Sequence, residues 1–156
     1  MQKTPSTPRT EVLESRECWE LLRSVSLGRL AVWTGDHPEL FPVTYLVDQR
    51  TIVFRTGPGT KRTAALGSSP VAFETDGVDP RTNVAWSVIV KGTAAEVEQT
   101  DDSLSSSSRR LFPWESGEKD HFVRITPEVV TGRRFIVAHP QAWDISLNDA
   151  TRSGLD

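Results

Sequence analysis

The sequence is short of cysteine, methionine and tyrosine, of long apolar runs, and of any large excess of one charge. Of its 156 residues one is Cys, one Met and one Tyr. A lone Cys18 can form neither an intrachain disulfide nor a thiolate-rich metal site, and it fits a reducing compartment. No apolar run approaches the ~20 residues that a membrane span requires. The N-terminal stretch MQKTPSTPRTEVLE is polar and interrupted by Pro where a signal peptide would be apolar. A cytoplasmic protein without a membrane partner is the expectation. With 18 Lys+Arg against 21 Asp+Glu the formal charge is −3, so the surplus of basic charge that nucleic-acid binding draws on is missing. His37, His121 and His139 lie far apart and no pair has metal-ligand spacing. A nucleophile elbow of the G-x-S-x-G kind is also lacking.

What is present suits one domain. Hydrophobic residues make up 37% of the chain and charged residues 25%. A fold of this length buries roughly 70% of the surface its unfolded chain exposes. Residues 1–10 carry two Pro, three Thr and a Ser and read as a tail, residues 11–140 as the domain, and residues 141–156 as a second tail. Val12, Leu13, Trp19, Leu21, Leu22 and Val25 recur mainly at three- and four-residue spacings, which predicts an amphipathic helix from Glu11 to Val25 that Gly28 ends. Cys18 falls within it as a small apolar residue.

Beyond the helix the period becomes that of strands. Arg29 to Trp33, Leu40 to Val47 and Thr51 to Thr56 are separated by Thr34-Gly35-Asp36-His37-Pro38 and Asp48-Gln49-Arg50, which predicts three adjacent antiparallel strands. Further strands are expected at Val71 to Thr75, Val84 to Val97, His121 to Thr126 and Val129 to Phe135. Short helices are expected at Arg62 to Leu66 and, within the polar connection Gln99 to Asp120, near Ser103 to Leu111. Six or seven short strands with few helices predict a mainly β fold, a closed or nearly closed antiparallel barrel.

Three segments carry chemistry. In Phe54-Arg55-Thr56-Gly57-Pro58-Gly59-Thr60-Lys61 a strand enters a glycine-rich loop that opens a short helix, with Arg62 next in line. Glycines let backbone N–H groups approach an anion, and Arg and Lys supply full charges, which suits a phosphate. The spacing is not that of a P-loop, and a turn with solvated charges is the plain alternative. The second segment is Phe41-Pro42-Val43-Thr44-Tyr45. Pro42 cannot donate to a ladder, so its strand has an edge, a bulge or a ligand there, and small residues can present backbone groups to a flat heteroaromatic ring. In the third, Trp86 reads first as core, while Ser87 is a polar group able to face a site. Glu74-Thr75-Asp76 reads as a solvated turn ending a strand, and Arg109-Arg110 and Arg133-Arg134 as exposed pairs.

Leu27-Gly28-Arg29-Leu30-Ala31, Phe41-Pro42-Val43-Thr44-Tyr45, Phe54-Arg55-Thr56 with Gly59-Thr60-Lys61, Val71-Ala72-Phe73-Glu74 and Trp86-Ser87-Val88 with Lys91-Gly92 together resemble the pyridoxamine 5′-phosphate oxidase-like family of split-barrel flavin-binding proteins, in its small actinobacterial form. The resemblance covers about residues 11–135. It implies a six-stranded split β-barrel, a homodimer with FMN or the deazaflavin F420 in clefts between subunits, and oxidoreductase chemistry on a small substrate. On the same resemblance Arg55, Thr56 and Lys61, with Phe54, Thr60 and Arg62 beside them, would hold the phosphate. Pro42, Val43, Thr44 and Tyr45 would run along the isoalloxazine, and Trp86 with Ser87 would meet it from the other subunit. With F420, Arg62 and Arg81 would engage the longer anionic tail. Relatives commonly carry Asn where this chain has Thr44. The C-terminal Arg-x-His element of true pyridoxamine phosphate oxidases is replaced by Gly132-Arg133-Arg134-Phe135, which disfavours vitamin B6 oxidation. A module that binds or senses flavin or haem without turnover is the non-enzymatic alternative.

Overall fold

The computed structural model describes residues 10–56, 70–97 and 121–137. Their elements are β1 (Glu11–Val12), α1 (Ser15–Ser24), β2 (Leu27–Trp33), β3 (Pro38–Asp48), β4 (Thr51–Thr56), β5 (Val71–Asp79), β6 (Val84–Val97) and β7 (His121–Ile136). The strands run in the order β1-β7-β4-β3-β2-β5-β6, and β6 pairs back onto β7. Strands β2 to β7 therefore close a six-stranded antiparallel barrel, the fold expected from the sequence. Among the described residues no helix is long and apolar enough to cross a membrane.

Alternation decides which side chains fill the barrel. Leu30, Val32, Tyr45, Ile52, Phe54, Phe73, Val88, Val90, Val123 and Ile125 are buried inside it, two residues apart along their strands as a pleat requires. Helix α1 adds Cys18, Trp19 and Leu22 to that cluster. The Tyr45 ring meets Phe73 edge-on at 4.7 Å and 68°. Cys18 is the small buried residue expected, and burial pushes its thiol pKa up.

Several boundaries differ from the sequence reading, each for a physical reason. The helix starts at Ser15, because Glu11 and Val12 pair with Arg134 and Arg133 of β7. It ends at Ser24, where Val25 is already extended at φ −132° and ψ 164°, so Gly28 is no helix terminator. Gly28 lies in β2, where a Cβ would sit 2.2 Å from Cζ of Phe73. Close packing of the Phe73 ring, rather than chain reversal, demands glycine there.

The two strands expected between His121 and Phe135 are one, β7, with an irregularity against Lys91 and Gly92 of β6. Pro127 sits at that irregularity opposite Gly92, where a residue without an N–H is tolerated. Gly92 is constrained as well, since a Cβ on it would lie 2.1 Å from the Thr126 carbonyl oxygen. The helices expected at Arg62 to Leu66 and Ser103 to Leu111 lie outside the described residues.

Candidate functional site

Strand β3 changes partner along its length, pairing with β2 on one side over its first part and with β4 on the other over its last. Pro38 to Thr44 pair with Trp33 to Leu27 of β2, whereas the ladder to β4 runs from Tyr45↔Phe54 to Asp48↔Thr51. The Tyr45 N–H donates to the Ser26 carbonyl at 2.9 Å. Backbone groups in an antiparallel ladder alternate sides, so those of Pro42 and Thr44 face away from β2. Pro42 thus occupies a position whose missing N–H costs β2 nothing.

Side chains on this stretch alternate too. Val43 and Tyr45 turn inward, and Pro42 and Thr44 are exposed on the outer face. The Tyr45 phenol is committed to the core, donating to the Leu22 carbonyl at 2.6 Å, and burial raises its pKa to about 12. Whatever Tyr45 and Val43 offer a ligand outside the barrel is backbone.

Phe54 is fully buried inside the barrel, and Arg55 is half-buried on the opposite face. Arg55 and Thr56 end β4, paired with Phe122 and His121 of β7. Extending the β3–β4 register by one residue brings Arg55 level with Thr44, where directly opposed residues have Cβ atoms about 5 Å apart. The outer face thus gathers Pro42, Thr44 and Arg55 at one corner. Thr60, Lys61 and Arg62 lie outside the described residues.

Trp86 and Ser87 are adjacent on β6 and point to opposite faces. Trp86 packs against the core, its indole so close over Gly77 that a Cβ there would be 2.8 Å from Nε1. Ser87 faces outward between Asp76 of β5 and Arg133 of β7. With β2 and β5 between β6 and β3, three interstrand spacings separate Ser87 from the Pro42 and Thr44 stretch, about 14 Å. Within one copy of the chain these two groups do not meet.

The outer face also holds an ion cluster that sequence reading passes over. Arg29 Nη2 lies 2.7 Å from Glu74 Oε2 and 2.9 Å from Asp76 Oδ1, and its Nε donates to Glu74 Oε2 at 2.8 Å. Nη2 is buried but aligned as a hydrogen-bond donor to neither carboxylate, so it acts there as charge. Burial pushes the Glu74 pKa up, Arg29 opposes that rise, and the neighbouring Asp76 adds to it. Glu74 and Asp76 are therefore not a solvated turn, because β5 continues to Asp79 and sets both carboxylates on one face around the buried Thr75. The available signal was the acid-x-acid alternation continuing that of Val71 and Phe73. Arg133 is exposed as expected, but Arg134 is half-buried on the inner side, 3.3 Å from Glu11 and 3.5 Å from Glu17.

Known proteins are similar to this chain over most of its length. The family model described as pyridoxamine 5′-phosphate oxidase matches residues 14–134. An uncharacterized Mycobacterium tuberculosis protein is 36% identical over 139 residues, 85% of this chain and 91% of that protein. Among solved structures, an FAD binding protein from Mycobacterium smegmatis superposes with a TM-score of 0.70 at 39% identity, covering 82% of this chain and 100% of that one. An FAD-binding protein from Mesorhizobium loti gives 0.67 at 25% identity, covering 80% and 97%.

Proposed function

Because the chain belongs to the pyridoxamine 5′-phosphate oxidase family, we propose that it is a flavin-binding oxidoreductase that acts on a small substrate as a homodimer. The observation that carries the reading is the outer edge of β3, where the Pro42 and Thr44 backbone faces away from β2 with Arg55 level with Thr44. The barrel interior is filled by Tyr45, Phe54 and Phe73, so a ring as large as isoalloxazine belongs outside it. That edge fits such a group, offering backbone groups for the heteroatoms of the ring and a cation toward one end.

In this reading Arg55 and Thr56, with Thr60, Lys61 and Arg62, hold the phosphate through charge-assisted hydrogen bonds. Pro42, Val43, Thr44 and Tyr45 present backbone to the ring. Ser87 reaches the ring only from a second copy, which supplies the other wall, and Trp86 supports β6 from behind. The bound flavin supplies hydride or electron transfer, and the chain's residues position it, tune its electrostatics and exclude water. No side chain need act as acid or base.

FMN is the cofactor we favour. FAD is a second reading, favoured by the FAD-binding neighbours from M. smegmatis and M. loti. The visible spectrum and mass of whatever co-purifies, followed by titration with FMN, FAD and F420, decide among the cofactors. A yellow protein, or one that takes up added flavin, is expected, and a clear preference for F420 would overturn the flavin assignment. Bleaching of the bound flavin by NAD(P)H without oxygen is expected of an oxidoreductase. No bleaching by any donor would favour a binding or sensing module.

A further inference from the structure

The hairpin that joins β2 to β3 is held at its tip by side chains that the proposed function does not use. The Thr34 N–H donates to the His37 carbonyl at 2.9 Å, and the Asp36 N–H donates to the Thr34 carbonyl at 2.9 Å. Gly35 takes the positive φ of 77° that the reversal needs. The Trp33 indole N–H folds over the same turn and donates to the Gly35 carbonyl at 2.9 Å. At this end the ladder partner of β3 is β2, since the pairs with β4 run from Tyr45 to Asp48. The tip closes that ladder.

His37 lies between two carboxylates there. Its Nδ1 is 2.5 Å from Asp36 Oδ1, and its Nε2 is 3.1 Å from Glu39 Oε1. A carboxylate accepts and cannot donate, so both contacts are hydrogen bonds only when both ring nitrogens carry protons, which makes His37 an imidazolium. Nε2 has a second neighbour, the Thr34 hydroxyl at 3.3 Å, and that hydroxyl has a second acceptor, the His37 carbonyl at 3.2 Å. A hydroxyl has one proton to give. While Nε2 is protonated, Thr34 can donate only to the carbonyl. Once Nε2 has lost its proton, the lone pair there repels Glu39 and can accept from Thr34. Asp36 and Glu39 are the charged groups that face His37 among the described residues. Arg29, the cation of β2, is engaged with Glu74 and Asp76, and β5 brings Ala72 opposite Ala31 at this end of the barrel. Hydrogen bonds to Asp36 first and Glu39 second push the His37 pKa up from 6.5.

We propose that the β2–β3 hairpin carries a proton-operated switch, in which the His37 imidazolium ties Asp36 to Glu39 across the turn, and loss of the Nε2 proton frees Glu39 and turns the Thr34 hydroxyl from the His37 carbonyl onto the ring. The proton passes to solvent, to which the His37 side chain is exposed. The folded-state pKa is the higher one, so the contribution of this clamp to the hairpin is complete below pH 6.5 and is lost as pH rises through the folded-state value. The turn is tighter in mildly acid than in alkaline solution. Nothing in this switch depends on a bound flavin.

Nitrogen NMR of the full chain with labelled histidine and tryptophan tests this, the His37 signals being those lost in His37→Gln. Wild-type His37 is expected to titrate above pH 6.5 and to keep its proton on Nδ1 when neutral. Asp36→Asn and Glu39→Gln should each lower its midpoint. Thr34→Val should move the Nε2 signal of the neutral ring and leave that of the protonated ring in place, and Thr34→Ser, which keeps a hydroxyl, should move neither. The Trp33 indole N–H signal should shift with the His37 midpoint and lose that dependence in His37→Gln. Hydrogen-exchange protection of the Thr34 N–H, corrected for the intrinsic effect of pH, should fall by at least about twofold across the transition. If Thr34→Val disturbs the hairpin itself, seen as a displaced Trp33 signal in acid, the tautomer and the two carboxylate variants carry the test. A midpoint at or below 6.5 that neither carboxylate variant moves, a neutral ring protonated at Nε2, or Trp33 and Thr34 signals that ignore the His37 titration would each overturn the inference.

Discussion

The Tyr45 hydroxyl donates to the Leu22 carbonyl at 2.6 Å, with both side chains fully buried. This bond ties the middle of β3 to the last turn of α1, and it satisfies a carbonyl that the helix end leaves without an intrahelical partner. It also fixes the pleat of β3, sending Tyr45 inward and Thr44 outward to the face proposed to meet the cofactor.

Tyr45→Phe removes the donor and strands the carbonyl. It should cost about 1–3 kcal/mol, read as a lower midpoint in urea denaturation with an unchanged slope. Tyr45 is the only tyrosine, so its ionisation can be followed directly by its ultraviolet absorbance, and it should occur near 12 rather than at the ordinary tyrosine value of 10.0. The unfolded chain gives up this proton first, so the stability this group contributes is fully present below pH 10.0 and should be lost progressively as pH rises from 10.0 toward about 12.

A second pin lies at the far end of β3. Asp48 is buried, with Oδ2 3.1 Å from both terminal nitrogens of Arg124, and Arg124 also donates to Thr51 Oγ1 at 2.6 Å. Removing one partner of a buried pair leaves the other uncompensated, so Asp48→Ala should destabilise the protein by about 3 kcal/mol or more. A loss within the range of an exposed pair, below ~1 kcal/mol, would mean that this network does not hold the β3–β4 hairpin.

The hairpin between β3 and β4 turns on Gln49 and Arg50, both at positive φ, 46° and 62°. Side chains other than Gly, Asn and Asp occupy that region at a cost of roughly 1–2 kcal/mol per residue. Arg50→Gly should therefore raise stability by about 0.5–1 kcal/mol once the extra flexibility of glycine in the unfolded chain is deducted. Thermal denaturation reads the sign, and a lower Tm would show that the Arg50 side chain contributes more than its backbone conformation costs.

Much of this fold is legible in residue pattern. The bounds of β4 and β6 follow directly from their β-branched runs, Thr51 to Thr56 and Val84 to Val97. Boundaries set by distant partners are not legible in that way. Glu11 and Val12 look helical by spacing, and only the presence of β7 beside them makes them a strand. Pro127 looks like a strand break, and only Gly92 opposite reveals the irregularity that accommodates it.

The candidate site divides similarly. Pro42 signalled an unusual strand edge on chemistry alone, and β3 does have a ladder on one side only at that residue. That Trp86 turns inward while Ser87 faces out follows from the pleat once β6 is placed. The Arg29, Glu74 and Asp76 cluster was missed because its members are 45 residues apart in sequence at their closest contact. Only the β2–β5 pairing, Arg29↔Glu74, brings them together.

The central claim is that the outer edge of β3 receives a flavin whose phosphate lies at Arg55. Its most direct test is the dissociation constants of FMN and of phosphate-free riboflavin, measured by fluorescence quenching on wild type and on Arg55→Ala. A charged hydrogen bond contributing ~1.5–3 kcal/mol predicts that wild type binds FMN more tightly than riboflavin by at least about tenfold. Arg55→Ala should then lose at least about tenfold in FMN affinity and leave riboflavin affinity unchanged. Equal loss for both ligands, or none for FMN, would contradict the assignment.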